Sequence, residues 1–223
     1  MLHSPVCREV PKPAPQRPDN SVAVRRCCPA AERRKSKRKA ALSILPRPGF
    51  PEISPAVPVY ECLMSRSLFD HGIGQVMIAR ELPMGQIAVV IFLLDVYCLG
   101  AKDVMFGVFG TAEYRQKTRF TADGSFEPVA AQTARNLVEG AVEYAQRLGL
   151  PPHHDFPLAS RIFAGIDPAS SNRTFSYGKD GKPFYVSGPR DTLVKSRRVV
   201  AALENACGPG GFDYTVTVGT GVE

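Results

Sequence analysis

The chain has 223 residues, 44% of them hydrophobic, with a formal net charge of +7 at pH 7, which suffices for one ordinary domain with an extension. The six cysteines include no Cys-x-x-Cys pair and no histidine at zinc-finger spacing, which argues against a structural zinc site and a disulfide framework. The longest apolar stretch is interrupted by Asp95 and is too short to cross a bilayer, so we expect a soluble, cytoplasmic protein without a membrane partner.

Residues 1–55 are predicted to form a disordered, basic, proline-rich arm. The first 50 residues contain twelve Lys and Arg but three Asp and Glu, a net charge of +9, whereas the remaining 173 residues carry a net charge of −2. Eleven of the twenty prolines lie in residues 1–58, where few large apolar side chains are present to offset the entropy of ordering. The positive charge of the chain is therefore a property of the arm and not of the body.

Six basic residues within seven positions of the arm are the predicted nucleic-acid-binding residues. They are Arg33, Arg34, Lys35, Lys37, Arg38 and Lys39. Such a run attracts a polyanion and releases its counterions. A solvated tail without a dedicated partner, or a start-site extension without a role, explains the same composition.

Residues 56–223 are predicted to form a single α+β globular domain around a central strand at residues 87–97. Ile87 begins eight consecutive apolar residues, and a strand that is apolar at odd and even positions belongs in the middle of a sheet. Residues 57–64 and 75–82 are also predicted strands. The four-residue turn at 83–86 makes the second of them an antiparallel neighbour of the central strand. The sequence of residues 101–109 is compatible with a loop, a bent strand or the start of a helix.

An amphipathic helix is predicted at residues 128–148. Small and apolar residues recur there every three or four positions. Pro128 suits a first helical turn, and Gly149 followed by Pro151 ends the pattern.

Two further helices are predicted at residues 156–164 and 192–206. Each follows an aspartate, Asp155 or Asp191, whose carboxylate would cap the first turn. In the last helix, Leu193 is expected to point towards the core.

A β-hairpin is predicted between the last two helices, because Asp180-Gly181 is a favoured pair for a two-residue turn. A final strand is predicted at residues 212–218, where apolar and polar residues alternate. Together these elements predict an α+β fold with a largely antiparallel sheet.

Asp95, near the end of the central strand, is the first candidate for chemistry. A buried acid is costly unless it is paired, hydrogen-bonded or bound to a cation, and Lys102 or a helix N-terminus could supply the partner. In nucleases of the ribonuclease H type, a strand-borne aspartate helps to hold divalent metal ions. The chain resembles them in this one acid on one strand, and the resemblance places no further ligand.

His153, His154 and Asp155, followed by Asp167, form the second candidate. Two imidazoles beside a carboxylate could bind a metal ion or relay protons. Adjacent side chains at the start of a helix usually point in different directions, and capping alone would explain Asp155. We therefore predict no metal ligands here.

The predicted hairpin and the helix after it form the third candidate. Their basic residues are Lys179, Lys182, Lys195, Arg197 and Arg198, and their aromatic residues are Phe175, Tyr177, Phe184 and Tyr185. Proteins that bind single-stranded nucleic acid combine such residues to hold phosphates and stack bases. Alternatively, the aromatic residues belong to the core and the lysines keep an exposed hairpin in solution.

Three functions follow as hypotheses. The first is an accessory protein that binds nucleic acid, RNA rather than DNA, through the arm, while the body supplies selectivity. The second is a metal-dependent hydrolase or nuclease, with Asp95, Asp103, His154 and Asp155 as catalytic residues. The third is a protein–protein adaptor in which the arm has no role. Acids gathered in one cleft would favour the enzyme, and no nucleotide-binding loop, nucleophile elbow or zincin motif identifies a cofactor.

Overall fold

The computed structural model describes residues 49–119, 121, 124–189 and 191–216. They fall within one of the two units into which the chain divides, Ala40–Glu223. The predicted arm up to residue 48, including its basic run, lies outside the described residues.

A five-stranded sheet with entirely antiparallel pairing forms the centre of the body. Its strands are β1 (Val59–Ser65), β2 (Ile73–Leu82), β3 (Gln86–Asp95), β4 (Gly100–Gly110) and β5 (Phe126–Pro128). Their order in the sheet is β4-β3-β2-β1-β5. The predicted α+β class with a largely antiparallel sheet is confirmed.

The predicted central strand is β3, which ends at Asp95 rather than at Tyr97. Val90 and Ile91 point to opposite faces of the sheet and are 0% and 2% exposed, so both faces are covered. β3 pairs with β2 across the turn at Pro83–Gly85, which confirms the predicted hairpin. On its other side β3 pairs with β4, which contains residues 101–109.

Five helices and two short parallel strands complete the described body. The helices are α1 (Leu68–His71), α2 (Thr111–Lys117), α3 (Ala131–Arg147), α4 (Phe156–Ala159) and α5 (Leu193–Cys207). The strands are β6 (Phe184–Val186) and β7 (Asp213–Thr215). In the described part of the chain, no helix has the length and apolar character that crossing a membrane requires.

The predicted amphipathic helix is α3, and it covers one face of the sheet. Leu137, Val138 and Ala141 on its inner face are at most 1% exposed. The predicted start at Pro128 is wrong, because Pro128 pairs with Leu63 as the last residue of β5. The proline therefore ends an edge strand, a position that its missing N–H tolerates.

The helix predicted at residues 156–164 is α4 followed by a 3₁₀ turn at Ser160–Phe163. Asp155 occupies the N-cap position, but its side chain makes no capping hydrogen bond there. The carboxylate is oriented instead towards His153 and His154.

The cap predicted for the last helix is wrong by one residue. The Lys195 N–H donates to Thr192 Oγ1 at 3.2 Å, so Thr192 caps α5. Leu193 is 48% exposed rather than buried, because the inner face of the helix is formed by Val199 and Leu203. Asp191 has another role in the site.

Of the hairpin predicted at Asp180-Gly181, only the turn is present. Both residues have positive φ, 52° and 80°, as the pattern predicts, but the flanking segments do not pair with each other beyond one bridge. The Gly178 N–H donates to the Val96 carbonyl, and the Phe184 N–H donates to the Tyr97 carbonyl. The turn between β3 and β4 therefore takes the hydrogen bonds that a hairpin would have used, and β6 pairs in parallel with β7.

The packed body begins before the predicted boundary at residues 55 and 56. Phe50 and Ile53 are 4% and 6% exposed. The ring of Phe50 meets that of Phe106 edge to face, with centroids 5.3 Å apart. These contacts give the segment enough apolar burial to pack against β4 despite its prolines.

Candidate functional site

A cleft of about 600 Å³ opens where the turn between β3 and β4 meets β6 and the start of α5. Its polar lining comes from α1, from the adjoining ends of β3 and β4, and from the start of α5. These polar residues include His71, Asp95, Lys102, Asp103, Asp191 and Lys195. Apolar residues from β2, β3 and β6 form the remaining wall.

Asp95 stabilises the turn that forms one side of the cleft. The residue is 6% exposed, and its Oδ1 accepts hydrogen bonds from the N–H groups of Tyr97 at 3.1 Å and Cys98 at 2.9 Å. Burial raises the pKa of Asp95 to about 6, although the nearby Lys102 ammonium and the backbone N–H groups oppose the shift. The partners that a buried acid requires are thus mainly backbone groups of its own turn.

Because its folded-state pKa lies above the ordinary value of 3.8, Asp95 destabilises the folded protein as it ionises. The protonated carboxyl is the form that the folded protein favours. The stability that it contributes is fully present below pH 4 and is lost as the pH rises through about 6. We expect Asp95→Asn, which keeps a carbonyl acceptor for the turn, to raise the free energy of unfolding at pH 7.5 by roughly 2 kcal/mol. Urea unfolding followed by circular dichroism at pH 4.5 and 7.5 measures this.

The exposed acid Asp70 on α1 provides the control, and Asp70→Asn should leave the difference between the two pH values unchanged. A loss of stability in Asp95→Asn at pH 7.5 would contradict the prediction. It would mean that the charge attraction to Lys102 outweighs the desolvation of the carboxylate.

Asp191 lies in the opposite wall of the cleft, where it connects two segments of the chain. Its side chain is 4% exposed and accepts hydrogen bonds from the Gly188 N–H at 2.7 Å and Lys195 Nζ at 2.8 Å. Burial alone would raise the pKa of Asp191, but these donors and the Lys102 ammonium outweigh it and hold the pKa below its ordinary value. The carboxylate joins the residue 187–189 segment to α5.

The Lys102 ammonium faces the cleft with hydrogens available for bonding. Its side chain is 15% exposed, and Asp191 Oδ2 lies 3.7 Å from Nζ, beyond hydrogen-bond distance. Among the residues that the structure describes, none accepts a hydrogen bond from this ammonium. A side chain at Gly188 would bring its Cβ within 3.1 Å of Nζ, so the glycine leaves the ammonium room. Lys102 is therefore a cation whose donors a ligand can use.

Aromatic and aliphatic side chains form the wall beside Lys102. The rings of Tyr97 and Phe184 lie 6.4 Å apart between centroids, and Tyr97 is held in place by its hydroxyl, which donates to the Phe69 carbonyl at 2.7 Å. Ile73 and Val186 are 40% and 44% exposed. The cleft thus combines one available cation with an apolar surface.

The aromatic residues proposed to stack bases divide between core and cleft. Tyr185 is fully buried, Phe175 stacks on Phe69, and Tyr177 stacks on Tyr144. Phe184 alone of the four lines the cleft. Of the basic residues, Lys195 lines the cleft, and Lys179 Nζ lies 4.7 Å from the centroid of the Phe184 ring.

His153, His154 and Asp155 converge next to the cleft. Asp155 Oδ2 lies 3.7 Å from His153 Nδ1 and 3.4 Å from His154 Nε2. The two rings lie 4.1 Å apart between centroids, so the expectation that adjacent histidines diverge is wrong. Asp103, which lines the cleft, places its Oδ1 3.6 Å from His153 Nε2.

The acids and histidines singled out from the sequence therefore occupy three places. Asp103, His154 and Asp155 belong to one group with His153, and Asp95 closes the turn in the cleft. Asp167 caps the 3₁₀ turn at Pro168–Ser170, where it accepts hydrogen bonds from Ala169 N–H and Ser170 Oγ.

Sequence reasoning missed the charge network of Lys102, Asp191 and Lys195. Asp191 and Lys195 form an i,i+4 pair that a local pattern could have identified. No local signal joins Lys102 to Asp191, because β4 and the start of α5 meet only in the folded chain.

No protein-family model, curated protein or solved structure matches this chain.

Proposed function

We propose that this protein binds a small organic anion with an aromatic or apolar body in the cleft. The main support for this proposal is the environment of the Lys102 ammonium. The ammonium is largely enclosed, faces the cleft and donates no hydrogen bond to a described residue. A carboxylate or phosphate oxygen would accept those bonds. Charge-assisted hydrogen bonds of this kind are stronger than neutral ones.

The acidic residues near Lys102 do not occupy its hydrogen-bond donors, so Lys102 can bind an anion. Asp95 is occupied by backbone N–H groups and Asp191 by Gly188 and Lys195. Asp103 has a side chain that is 49% exposed, so solvent screens its charge.

The size and wall of the cleft suit the body of such a ligand. A cavity of about 600 Å³ is within the range of small-molecule sites, which combine an apolar lining with a few polar groups. Ile73, Val186 and Phe184 provide apolar surface, and an aromatic ligand would gain further from stacking on the ring.

The anion has two chemical sources. A free organic acid would present a carboxylate, and a nucleotide would present a phosphate while its base packs against Phe184. The second source agrees with the predicted RNA binding by the arm, whose basic residues lie outside the described residues. Titration with an oligouridine at two salt concentrations tests that source, since phosphate contacts weaken steeply with salt.

Three naphthalene probes test the cleft itself: 1-naphthoate, 1-naphthyl phosphate and the neutral 1-naphthalenemethanol. Their fluorescence reports binding to the full chain. We expect at least one anionic probe to bind about tenfold or more tightly than the neutral probe, because only the anions engage Lys102.

Lys102→Met should remove that advantage, and Lys102→Arg should retain part of it. Lys117→Met is the control, because Lys117 pairs with Glu113 on α2 outside the cleft. Equal affinity of all three probes, absence of binding, or wild-type affinity in Lys102→Met would overturn the proposal. The preferred probe assigns the ligand to carboxylates or to phosphates.

The metal-dependent hydrolase, the adaptor function and the cytoplasmic location stay predictions. The hydrolase would require the histidine group and Asp95 to act on one substrate, and Asp95 Oδ1 is committed to the turn. Anion binding needs no such assembly, so the cleft supports it best.

A further inference from the structure

We infer that His153, His154 and Asp155 form a binding site for a divalent transition-metal ion such as Zn²⁺, and that Asp103 orients His153. This site is independent of anion binding in the cleft. Its three ligand atoms, one from each residue, all lie within 4.8 Å of one another.

Two of the three distances between these atoms are close to those around a tetrahedral ion, and the third, between the two histidine nitrogens, is at most 4.8 Å. With metal–ligand bonds of about 2.0–2.1 Å, two ligand atoms are separated by roughly 3.3 Å. Asp155 Oδ2 lies 3.4 Å from His154 Nε2 and 3.7 Å from His153 Nδ1. The His154 side chain is 74% exposed, so it is free to rotate and bring its nitrogen closer to His153 Nδ1 when an ion binds.

Hydrogen bonding identifies which nitrogen of His153 would bind the ion. The Asp155 backbone N–H donates to His153 Nδ1 at 3.3 Å, which assigns the lone pair to Nδ1 and the proton to Nε2. A metal ion would replace this long hydrogen bond. Nε2 faces Asp103 Oδ1 at 3.6 Å, just beyond hydrogen-bond distance. A small movement of the half-exposed Asp103 side chain would close this hydrogen bond, and a carboxylate bonded to a metal-binding histidine fixes the ring and increases its basicity.

The backbone holds the three residues against the edge of the sheet. The His153 N–H donates to the Ala101 carbonyl on β4 at 2.9 Å, and the His153 carbonyl accepts from the Phe156 N–H at 2.9 Å. The ligands are therefore supported by a strand and by the start of α4, while the exposed His154 ring leaves the site open to solvent.

The ligand chemistry selects the class of ion. Two imidazoles with one carboxylate suit Zn²⁺ and neighbouring transition metals, whereas Mg²⁺ and Ca²⁺ prefer oxygen ligands throughout. Three protein ligands leave a fourth tetrahedral position for water or another small ligand, as in catalytic rather than structural zinc sites.

Cobalt titration of the full, tag-free chain after chelator treatment tests the site. We expect Co²⁺ to produce the visible absorption of a tetrahedral complex and Zn²⁺ to displace it, while Mg²⁺ has no effect. The melting temperature should rise with Zn²⁺, because an ion that binds only the folded chain stabilises it.

Variants assign the signal to these residues. His154→Ala and Asp155→Asn each remove a ligand and should weaken Co²⁺ binding by more than the roughly 10-fold to 100-fold that loss of an outer-shell partner costs. Asp103→Asn removes a positioning residue and should weaken it about 10-fold to 100-fold. His71→Ala is the matched control, because His71 lies in the cleft outside this group.

Because the His154 side chain is 74% exposed, we expect His154→Ala to fold even if another variant does not. Co²⁺ absorption and a Zn²⁺-dependent rise in melting temperature that persist unchanged in His154→Ala would assign the ion to other residues and overturn the inference. Absence of Co²⁺ binding by the wild-type chain would overturn it as well.

Discussion

Replacing Arg80 by methionine is expected to lower the free energy of unfolding by about 4 kcal/mol. Arg80 lies on β2 and is 2% exposed. Its guanidinium donates to the backbone carbonyls of Val57, Ile162 and Ala164, with the Ile162 bond at 2.9 Å. Methionine has a similar stem but no donors, so the buried Ile162 carbonyl and the partly buried Val57 and Ala164 carbonyls would lose their donor. An unsatisfied buried group costs about 1–3 kcal/mol, and partly buried groups cost less.

Arg80→Lys separates the effect of charge from that of geometry. An ammonium on a single stem cannot reproduce the planar fork that reaches three carbonyls, so we expect a loss close to that of methionine. Arg66→Met is the control, because the Arg66 side chain is 58% exposed where it pairs with Glu127. Urea unfolding followed by circular dichroism measures all three variants. A loss below about 1 kcal/mol in Arg80→Met would show that water replaces the lost donors.

Gly100→Ala is expected to lower the free energy of unfolding by about 3 kcal/mol. Gly100 begins β4 with a φ of +63°, a conformation that strains an L-amino acid. Its added Cβ would lie 2.8 Å from the Ala141 carbonyl oxygen and 3.0 Å from Ala145 Cβ, both on α3. Because these neighbours belong to a packed helix, the helix would have to move away from the sheet.

Gly124→Ala isolates the backbone contribution. Gly124 has a φ of +86°, but a Cβ there would meet nothing within 4 Å. We expect this variant to lose about 1 kcal/mol, the cost of the conformation alone. Equal losses in the two alanine variants would refute the proposed clash with α3. Thermal and urea unfolding of both variants provide the comparison.

The elements predicted most accurately are those whose signal is local and repeated. The eight apolar residues from Ile87 predicted β3, because a strand without a solvent face must lie inside a sheet. The three- and four-residue spacing predicted α3 within three residues at its start. The turn at Asp180-Gly181 was predicted because both residues tolerate positive φ.

Predictions failed where the local sequence was compatible with two solutions. Asp191 and Thr192 both suit a helix cap, and Thr192 caps α5 because Asp191 is engaged by Gly188, Lys195 and Lys102. The predicted hairpin does not form because its two arms pair with the turn after β3. The Gly178 and Phe184 N–H groups donate to the Val96 and Tyr97 carbonyls. Such competition depends on distant residues that no local window contains.

The candidate sites show the same division. The sequence identified His153, His154, Asp155 and Asp103 as chemically suitable residues, but only the fold showed that their side chains converge. The sequence also offered Lys102 as a partner for Asp95. The structure adds that Asp95 is mainly held by its own turn and that the Lys102 ammonium faces a cleft.

The sequence by itself determined the α+β class, the buried central strand and the amphipathic helix, since these follow from side-chain periodicity and backbone preferences within a few residues. Only the tertiary structure decided that Arg80 lies in the core and that Lys102 meets Asp191. The physical reason is that hydrogen bonding, burial and charge pairing between distant segments are set by how the elements pack, and many different packings are compatible with the same local pattern.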